Sequence, residues 1–420
     1  MSTASAAPGP LPAIDTAALR QHFPALRYGV AHFDSPGGTQ TPDRVAEAIH
    51  RAMMLPLSNA SAARLTCSTG AERNADDIVT GCRAALGDLL GVDPATVVFG
   101  RSMTSLTFEM SRAVSQTWRP GDEVVISRLE HDANARPWVI AAQRCGATVR
   151  WAGFDRDTTE LSVAAVEEQL SDRTVLIAVT AASNLLGTMP DIPAIAERAH
   201  RAGALLYVDG VHYAAHEFVD VPALGADLFA CSPYKFLGPH CGVVTGRTEV
   251  LAGLRPDKLI PSSDAVPQRF ELGTLPYELM AGTTAAIDFL ADLAPQRGAR
   301  RERLRLAMGA IAAHEDALRE RIETALTGWA GVAVHSRAAR RTPTLLATFA
   351  DHRPGEVFEH LASHAINAPA GTFYAYEPAR HLGIDPHGGL RIGLAPYNTD
   401  EEADRLIAAL ELLMDARGRE

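Results

Sequence analysis

Short β-branched runs separated by longer amphipathic stretches constrain this chain more than any other feature of its sequence. Val97-Val98-Phe99 reads as a strand ending at Gly100, Glu123–Ser127 as a second after the turn Pro120-Gly121-Asp122, and Ala147–Trp151 as a third. Thr174–Thr180 is a fourth, with the near-continuous apolarity of a strand buried on both faces. Leu205–Val208 is a fifth, stopping at Asp209; Leu228–Ala230 is a sixth and Gly242–Gly246 a seventh. Helical patterns over 41–55, 72–90, 104–116, 161–170, 191–202 and 277–294 lie between and around them, and the Val211–Ala226 connection is shorter and less regular. This alternation predicts an α/β fold with a mainly parallel sheet between helices.

From about residue 286 the texture changes. A long charged helix over 297–326 precedes strands near 331–336 and 343–350, a helix near 354–364 and a final helix near 399–416. That order predicts a smaller α+β domain. The expected organisation is an N-terminal segment over 1–33, a large domain over 34–285 and a small C-terminal domain over 286–420. Apolar content of 47% in 420 residues is ample for a core. A net charge of −11 with no basic stretch argues against a nucleic-acid partner. No apolar stretch reaches membrane-spanning length, and Met1–Pro12 lacks the basic start and apolar run of a secretory signal. The five cysteines (Cys67, Cys82, Cys145, Cys231, Cys241) are scattered without a CxxC pair, which suits free thiols in a reducing cytoplasm.

Among 39 Lys and Arg residues only Lys235 and Lys258 are lysines. A lysine kept against that bias needs a reason a guanidinium cannot meet, and forming a Schiff base is one. Lys258, in Arg255-Pro256-Asp257-Lys258, reads as a surface residue. Lys235 sits in Cys231-Ser232-Pro233-Tyr234-Lys235-Phe236-Leu237-Gly238, which is unlike a surface.

Ligands of open parallel sheets sit at the carboxyl ends of the strands, and several polar signals fall there. The fifth strand stops at Asp209, the sixth delivers Ser232 and Lys235, and the fourth delivers Ser183-Asn184. The second is followed by Glu130-His131-Asp132, and the first by Gly100-Arg101-Ser102-Met103-Thr104, which opens a helix. A helix N-terminus with hydroxyls suits a phosphate. The Walker lysine and the G-x-G-x-x-G spacing are missing, so a nucleoside triphosphate or a dinucleotide is disfavoured. His212 and His216 have the spacing of a metal pair but lack a third ligand in view, so no metal is expected. A Schiff-base lysine, a phosphate cup, an acid for a pyridine nitrogen and a histidine to lie on a ring together match the demands of pyridoxal 5′-phosphate. Singly, each has an ordinary structural explanation: a turn cap at Asp209, a hydrogen-bonded histidine at His131, N-cap chemistry at Thr104.

These residues resemble class-V aminotransferase-fold enzymes, most closely their cysteine desulfurase-like branch, over nearly everything from Asp34 to Leu410. The anchors are Asp34-Ser35-Pro36-Gly37-Gly38-Thr39, Arg128–Asn134, Val208–His212, Ser232-Pro233-Tyr234-Lys235, Glu271-Leu272-Gly273-Thr274 and Leu390–Leu394 with Tyr397-Asn398-Thr399. The resemblance implies the type I fold of pyridoxal-phosphate-dependent transferases and a homodimer with shared active sites. It assigns Lys235 the cofactor imine, Asp209 the pyridine nitrogen, His131 the ring face, and His212 the neighbourhood of the phenolic oxygen. Ser102, Met103, Thr104 and Ser232 form the phosphate cup, and Thr274 reaches the partner's phosphate. Asn184 lies near the ring oxygen or the substrate, and Arg391 clamps the substrate carboxylate.

Three departures bear on the reaction. The cup reads Ser102-Met103-Thr104 where Gly-Thr-Thr is common, and His131-Asp132 replaces a double His. Desulfurases also carry a nucleophilic cysteine on a loop before the C-terminal arginine. That loop here is Ala370-Gly371-Thr372-Phe373-Tyr374-Ala375, with Tyr374 in the cysteine's place, and no cysteine follows Cys241. A persulfide route needs a thiolate; Cys231 and Cys241 read as packing residues of the sheet. The expectation is therefore an enzyme acting on an amino acid by Cβ–S cleavage of cysteine or a cysteine S-conjugate. Lys235 would be the base at the α-carbon, and Tyr374, Tyr376 or His212 the acid for the leaving sulfur. Desulfuration, transamination and decarboxylation remain alternatives, and a non-catalytic cofactor-binding protein is the alternative from another class.

Overall fold

A computed structural model describes residues 13–58, 71–294 and 298–417. Met1–Pro12 and Cys67 lie outside the described residues. The seven expected strands form one sheet: β1 (Val98–Gly100), β2 (Glu123–Ser127), β3 (Thr148–Ala152), β4 (Thr174–Thr180), β5 (Leu205–Asp209), β6 (Leu228–Cys231) and β7 (Gly242–Gly246). Their spatial order is β1-β7-β6-β5-β4-β2-β3. All neighbours are parallel except at β7, which runs antiparallel to β1 and β6. The carboxyl ends of the other six strands therefore share one edge.

Period-two alternation explains the unbroken apolar runs. Val125, Ile177, Val179, Leu206 and Val208 enter the core on one face. Val124, Ile126, Leu176, Ala178 and Tyr207 enter the core on the other. With both faces covered, nearly every position of the inner strands is buried, whereas the edge strand β3 is mostly exposed or half-buried.

The long helices are α1 (Asp43–Met54), α2 (Ala71–Leu90), α3 (Met103–Val114), α4 (Arg136–Cys145), α5 (Ile192–Arg201), α6 (Tyr277–Asp292), α7 (Arg300–Gly328), α8 (Pro354–Ser363) and α9 (Asp400–Arg417). Helix α4 and the short helix Tyr376–Leu382 add to the sequence expectation, whereas the stretch 161–170 yields only Val163–Glu167. A second sheet contains β8 (Val332–Val334), β9 (Thr344–Phe349), β10 (Ala370–Gly371) and β11 (Gly389–Gly393), ordered β10-β11-β9-β8 and antiparallel throughout. Helix α7 joins the two cores: Leu304, Met308 and Ile311 pack in the first, and Leu318, Ile322 and Leu326 in that of the second sheet. The N-terminal stretch joins both cores: Leu19, Phe23 and Leu26 pack in the first, and the residues that follow pack in the second. Ala31–His32 pairs in parallel with Ile366–Asn367, Asp34 bridges to Gly393, and Ala31 and Phe33 are buried there. Among the described residues no helix is long and apolar enough to cross a membrane.

Candidate active site

The shared strand edge opens into a cleft of about 510 Å³ of empty space. Ser102, Met103 and Thr104 line it from the start of α3, and His131 lines it from beyond β2. Asn184, Asp209, Ser232 and Lys235 line it from the ends of β4, β5 and β6, and His212 completes the set. Register brings these ends together: Thr180 pairs with Asp209, and Asp209 with Ala230.

Helix α3 begins with a reciprocal cap. Ser105 N–H donates to Ser102 Oγ at 3.1 Å, and Ser102 N–H donates to Ser105 Oγ at 3.2 Å. The Ser102 hydroxyl is thus committed to the helix, and the free anion-binding groups are the first-turn N–H groups with the exposed Thr104 hydroxyl. This cradle depends on Gly242 of β7. A Cβ there would lie 2.1 Å from the Ser102 carbonyl carbon and 2.2 Å from Met103 N.

Lys235 is 7% exposed, and its amine donates to the Pro36 carbonyl and lies 4.9 Å from the Tyr234 ring centroid. Burial, then the Arg391 charge, lowers its pKa to about 7, so much of it is uncharged near neutrality. Asp209 is buried, accepts from Val211 N–H at 2.9 Å, and is pushed up to about 6 by desolvation. His131 Nδ1 accepts from Ala133 N–H at 3.0 Å, which leaves the ring proton on Nε2. Burial, then the Lys235 charge, holds His131 down at about 4, so the ring is neutral. Its neighbour Glu130 is fully buried and raised to about 8 by desolvation. Glu130 receives Ser127 Oγ, Asn134 Nδ2 at 2.7 Å and Thr180 N–H at 2.8 Å, which ties the ends of β2 and β4 together.

His212 Nε2 lies 2.9 Å from both Thr342 Oγ1 and Thr344 Oγ1, while its Nδ1 is buried without a hydrogen-bond partner. Desolvation, then His216, holds its pKa well below the ordinary value. The Asn184 amide donates to Phe373 O at 3.0 Å, and its Oδ1 is buried and unpartnered. Two buried polar atoms on residues lining one cleft are thus left for a ligand to satisfy.

Four predicted residues lie outside the lining. Arg391, 2% exposed on β11, donates to Asn184 O at 3.1 Å and Asp34 Oδ1 at 2.6 Å, and the Phe373 ring covers its guanidinium at 3.7 Å. Tyr374 is 78% exposed at the rim, its ring 5.7 Å from that of His131 and its carbonyl accepting from Asp132 N–H at 2.7 Å. Thr274 is exposed, on a loop anchored by Glu271, which takes both Arg83 Nη2 (2.7 and 2.9 Å) and Phe99 N–H. Tyr376 sits between Arg136 and Arg380, away from the lining. Cys231 and Cys241 are buried, and desolvation pushes both thiols up, Cys241 to about 12. Neither is a thiolate, as their reading as packing residues requires. Sequence reasoning gave no site role to Asp34, Thr342 or Thr344. Each reaches the site across the fold, and only the Asp34–Thr39 motif offered a signal.

The donor set fits pyridoxal 5′-phosphate: a buried amine of lowered pKa, a buried carboxyl, a neutral imidazole plate, a helix start for phosphate, and the orphaned His212 Nδ1 and Asn184 Oδ1 for the ring's polar edge. Comparison with known proteins agrees. The uncharacterized protein MT3887 of Mycobacterium tuberculosis is 33% identical over 96% of this chain and all of its own length. The aminotransferase-like protein FGM3 of Gibberella zeae is 30% identical over 94% of this chain and 98% of its own. The cysteine desulfurase CsdA of Escherichia coli is 30% identical over 95% of this chain and 98% of its own. The crystal structure of CsdA superposes with a TM-score of 0.84 at 26% identity, covering 96% of this chain and all of that one. The sequence profile of the class-V aminotransferases matches residues 31–406. The chain therefore belongs to the class-V aminotransferase family and is a pyridoxal 5′-phosphate-dependent enzyme of its cysteine desulfurase-like branch.

Proposed function

We propose that this enzyme cleaves the Cβ–S bond of cysteine or a cysteine S-conjugate and releases the sulfur fragment directly. The observation that carries this reading is the Ala370–Ala375 loop, which bears Phe373 and Tyr374 at its tip, in a chain with no cysteine after Cys241. Passing sulfur to the protein would need a thiolate there. Relatives named as cysteine desulfurases support cysteine chemistry at the same kind of site.

When bound, pyridoxal phosphate supplies the carbonyl that captures the substrate amine and the electron sink that lets bonds at the α-carbon break. Lys235 Nζ would hold the cofactor, and an amine whose burial lowers its pKa to about 7 could take the α-proton at neutral pH. Asp209 would hold the proton on the pyridine nitrogen, and the neutral His131 would serve the ring face. The N–H groups of Met103 and Thr104 would hold phosphate with the Thr104 and Ser232 hydroxyls, Ser102 contributing through the turn it caps. His212 Nδ1 and Asn184 Oδ1 would satisfy the phenolic edge, and Arg391 would take the substrate carboxylate. Tyr374, exposed at the rim, protonates the leaving sulfur. The exposed Thr274, beside an exposed Leu272, supports a homodimer in which each subunit completes the other's phosphate site. The two separate sheets support a large domain over 34–285 and a small one over 286–420.

The balanced reaction is a thioether amino acid plus water giving a thiol, pyruvate and ammonium. The test incubates the holoenzyme with L-cysteine, S-methyl-L-cysteine and S-benzyl-L-cysteine. Pyruvate and ammonium in equal amounts without an added keto acid support the reading. Alanine formation from cysteine, a keto-acid requirement or carbon dioxide release would replace it with desulfuration, transamination or decarboxylation.

A further inference from the structure

Arg391 is not a bare cation. Its Nη2 is 2.6 Å from Asp34 Oδ1, its Nη1 bonds Asn184 O, and its face is covered by Phe373 at 3.7 Å. The side chain is 3% exposed, its Nε has no partner, and burial lowers its pKa while Asp34 raises it. The Asp34 carboxylate, on a side chain 29% exposed, neutralises the buried guanidinium. A second either displaces the first or enters with its charge uncompensated.

The sequence makes room for this arrangement. Gly37 lies three residues beyond Asp34, and a Cβ on it would meet the Asp34 carboxylate at 2.4 to 2.8 Å. Gly37 does not need a glycine-only backbone, since it is not among the residues with positive φ. Its missing side chain serves the space that Asp34 fills.

We infer that Asp34 is an internal competitor for the carboxylate-binding site and sets the substrate specificity of this enzyme. With Asp34 in place, the Arg391 corner is electrically neutral and has the Nε–H donor left over. It accepts an uncharged oxygen, such as the carbonyl of a carboxamide or ester, nearly as well as a carboxylate. This deepens the proposed function and rests on its assignment of Arg391 to the substrate carboxyl.

Two carbonyl reagents test the inference without a known substrate. Aminooxyacetate carries a carboxylate and O-methylhydroxylamine does not. Each forms a C=N bond to the cofactor carbon while the bond to Lys235 Nζ breaks and the lysine leaves as a free amine, with no redox change. The readout is the ratio of their rates of bleaching the visible absorbance of the holoenzyme. Asp34→Asn keeps the shape but removes the charge, and Gly37→Ala pushes the carboxylate aside. Each should raise the ratio on the order of tenfold, as expected for exposing a charge-assisted contact, and the gain should vanish in the Asp34→Asn/Arg391→Gln double variant. If both single variants stay within twofold of wild type while Arg391→Gln alone lowers the ratio, Arg391 is a freely available clamp and the inference fails on its own. If no variant moves the ratio, the assignment of Arg391 falls as well. A protein with no absorbance to bleach would overturn the cofactor reading beneath both.

Discussion

Replacing Gly242 by Ala should weaken cofactor binding through the phosphate alone. The new Cβ would stand 2.1 Å from the Ser102 carbonyl carbon, 2.2 Å from Met103 N and 2.6 Å from Ser102 O. Carbon contacts relax only near about 3.5 Å, so the Ser102–Met103 peptide must retreat by more than an ångström. Helix α3 cannot follow as a body, because Met103, Leu106 and Met110 are fixed in the core. The first-turn N–H groups therefore turn away from the anion. Losing one or two charge-assisted hydrogen bonds, each worth about 1.5–3 kcal/mol, corresponds to a roughly ten- to hundredfold rise in Kd or more. Overpacking adds about 1–3 kcal/mol of lost stability. The assay titrates apo-protein with pyridoxal phosphate and, separately, with pyridoxal, following the absorbance of the bound ring. Pyridoxal affinity should change little. Wild-type affinity for pyridoxal phosphate would refute the cradle, and equal loss for both ligands would show a collapsed site in place of a damaged phosphate cup.

Two further predictions concern the apo-protein. Lys235 keeps its proton only to about pH 7 when folded, against about 10.4 for a lysine in an unfolded chain. Between those values the unfolded state binds the extra proton, so Lys235 makes stability rise from about pH 7 to 10, and below pH 7 its contribution is flat. Lys235→Met should remove that rise in a series of melting temperatures, and identical slopes in the two proteins would contradict it. Glu271→Ala would leave Arg83, whose side chain is 10% exposed, without its carboxylate partner. Urea melts should show a loss of about 3–5 kcal/mol; a loss below 1 kcal/mol would mean that the pair does not anchor the Thr274 loop.

How much of the site was legible in the sequence follows from how each residue is held. His131 and Lys235 sit just past a strand and Asp209 closes one, each strand's apolar run declares itself locally, and the parallel sheet puts those ends on one edge without further information. Ser102 and Thr104 were legible as a helix start, but not the division of labour between the Ser102 hydroxyl, which caps, and the backbone, which is left free. Tyr374 stood in sequence where a nucleophile belongs, yet its φ of 57° and that of Phe373, 55°, turn the loop so that Phe373 faces inward onto Arg391 and Tyr374 lies at the rim. Such left-handed pairs of non-glycine residues are held by surroundings, here Asn184 and Asp132 N–H, that no local pattern encodes. Helix α4 begins directly after the His131 turn, with Pro137 in its first turn, where the N–H that proline lacks has no intrahelical partner to lose.

The hydroxyls of Thr342 and Thr344 hold His212 from the entry to β9, so an imidazole rooted in one sheet takes its orientation from the other. Pulling the two sheets apart would strand a desolvated ring nitrogen, and so the cleft's chemistry and the closure of the molecule stand or fall as one. Weakening that contact by mutation far from the lysine would then be felt first as a tilted imidazole, a change visible in the colour of the bound vitamin before any unfolding begins.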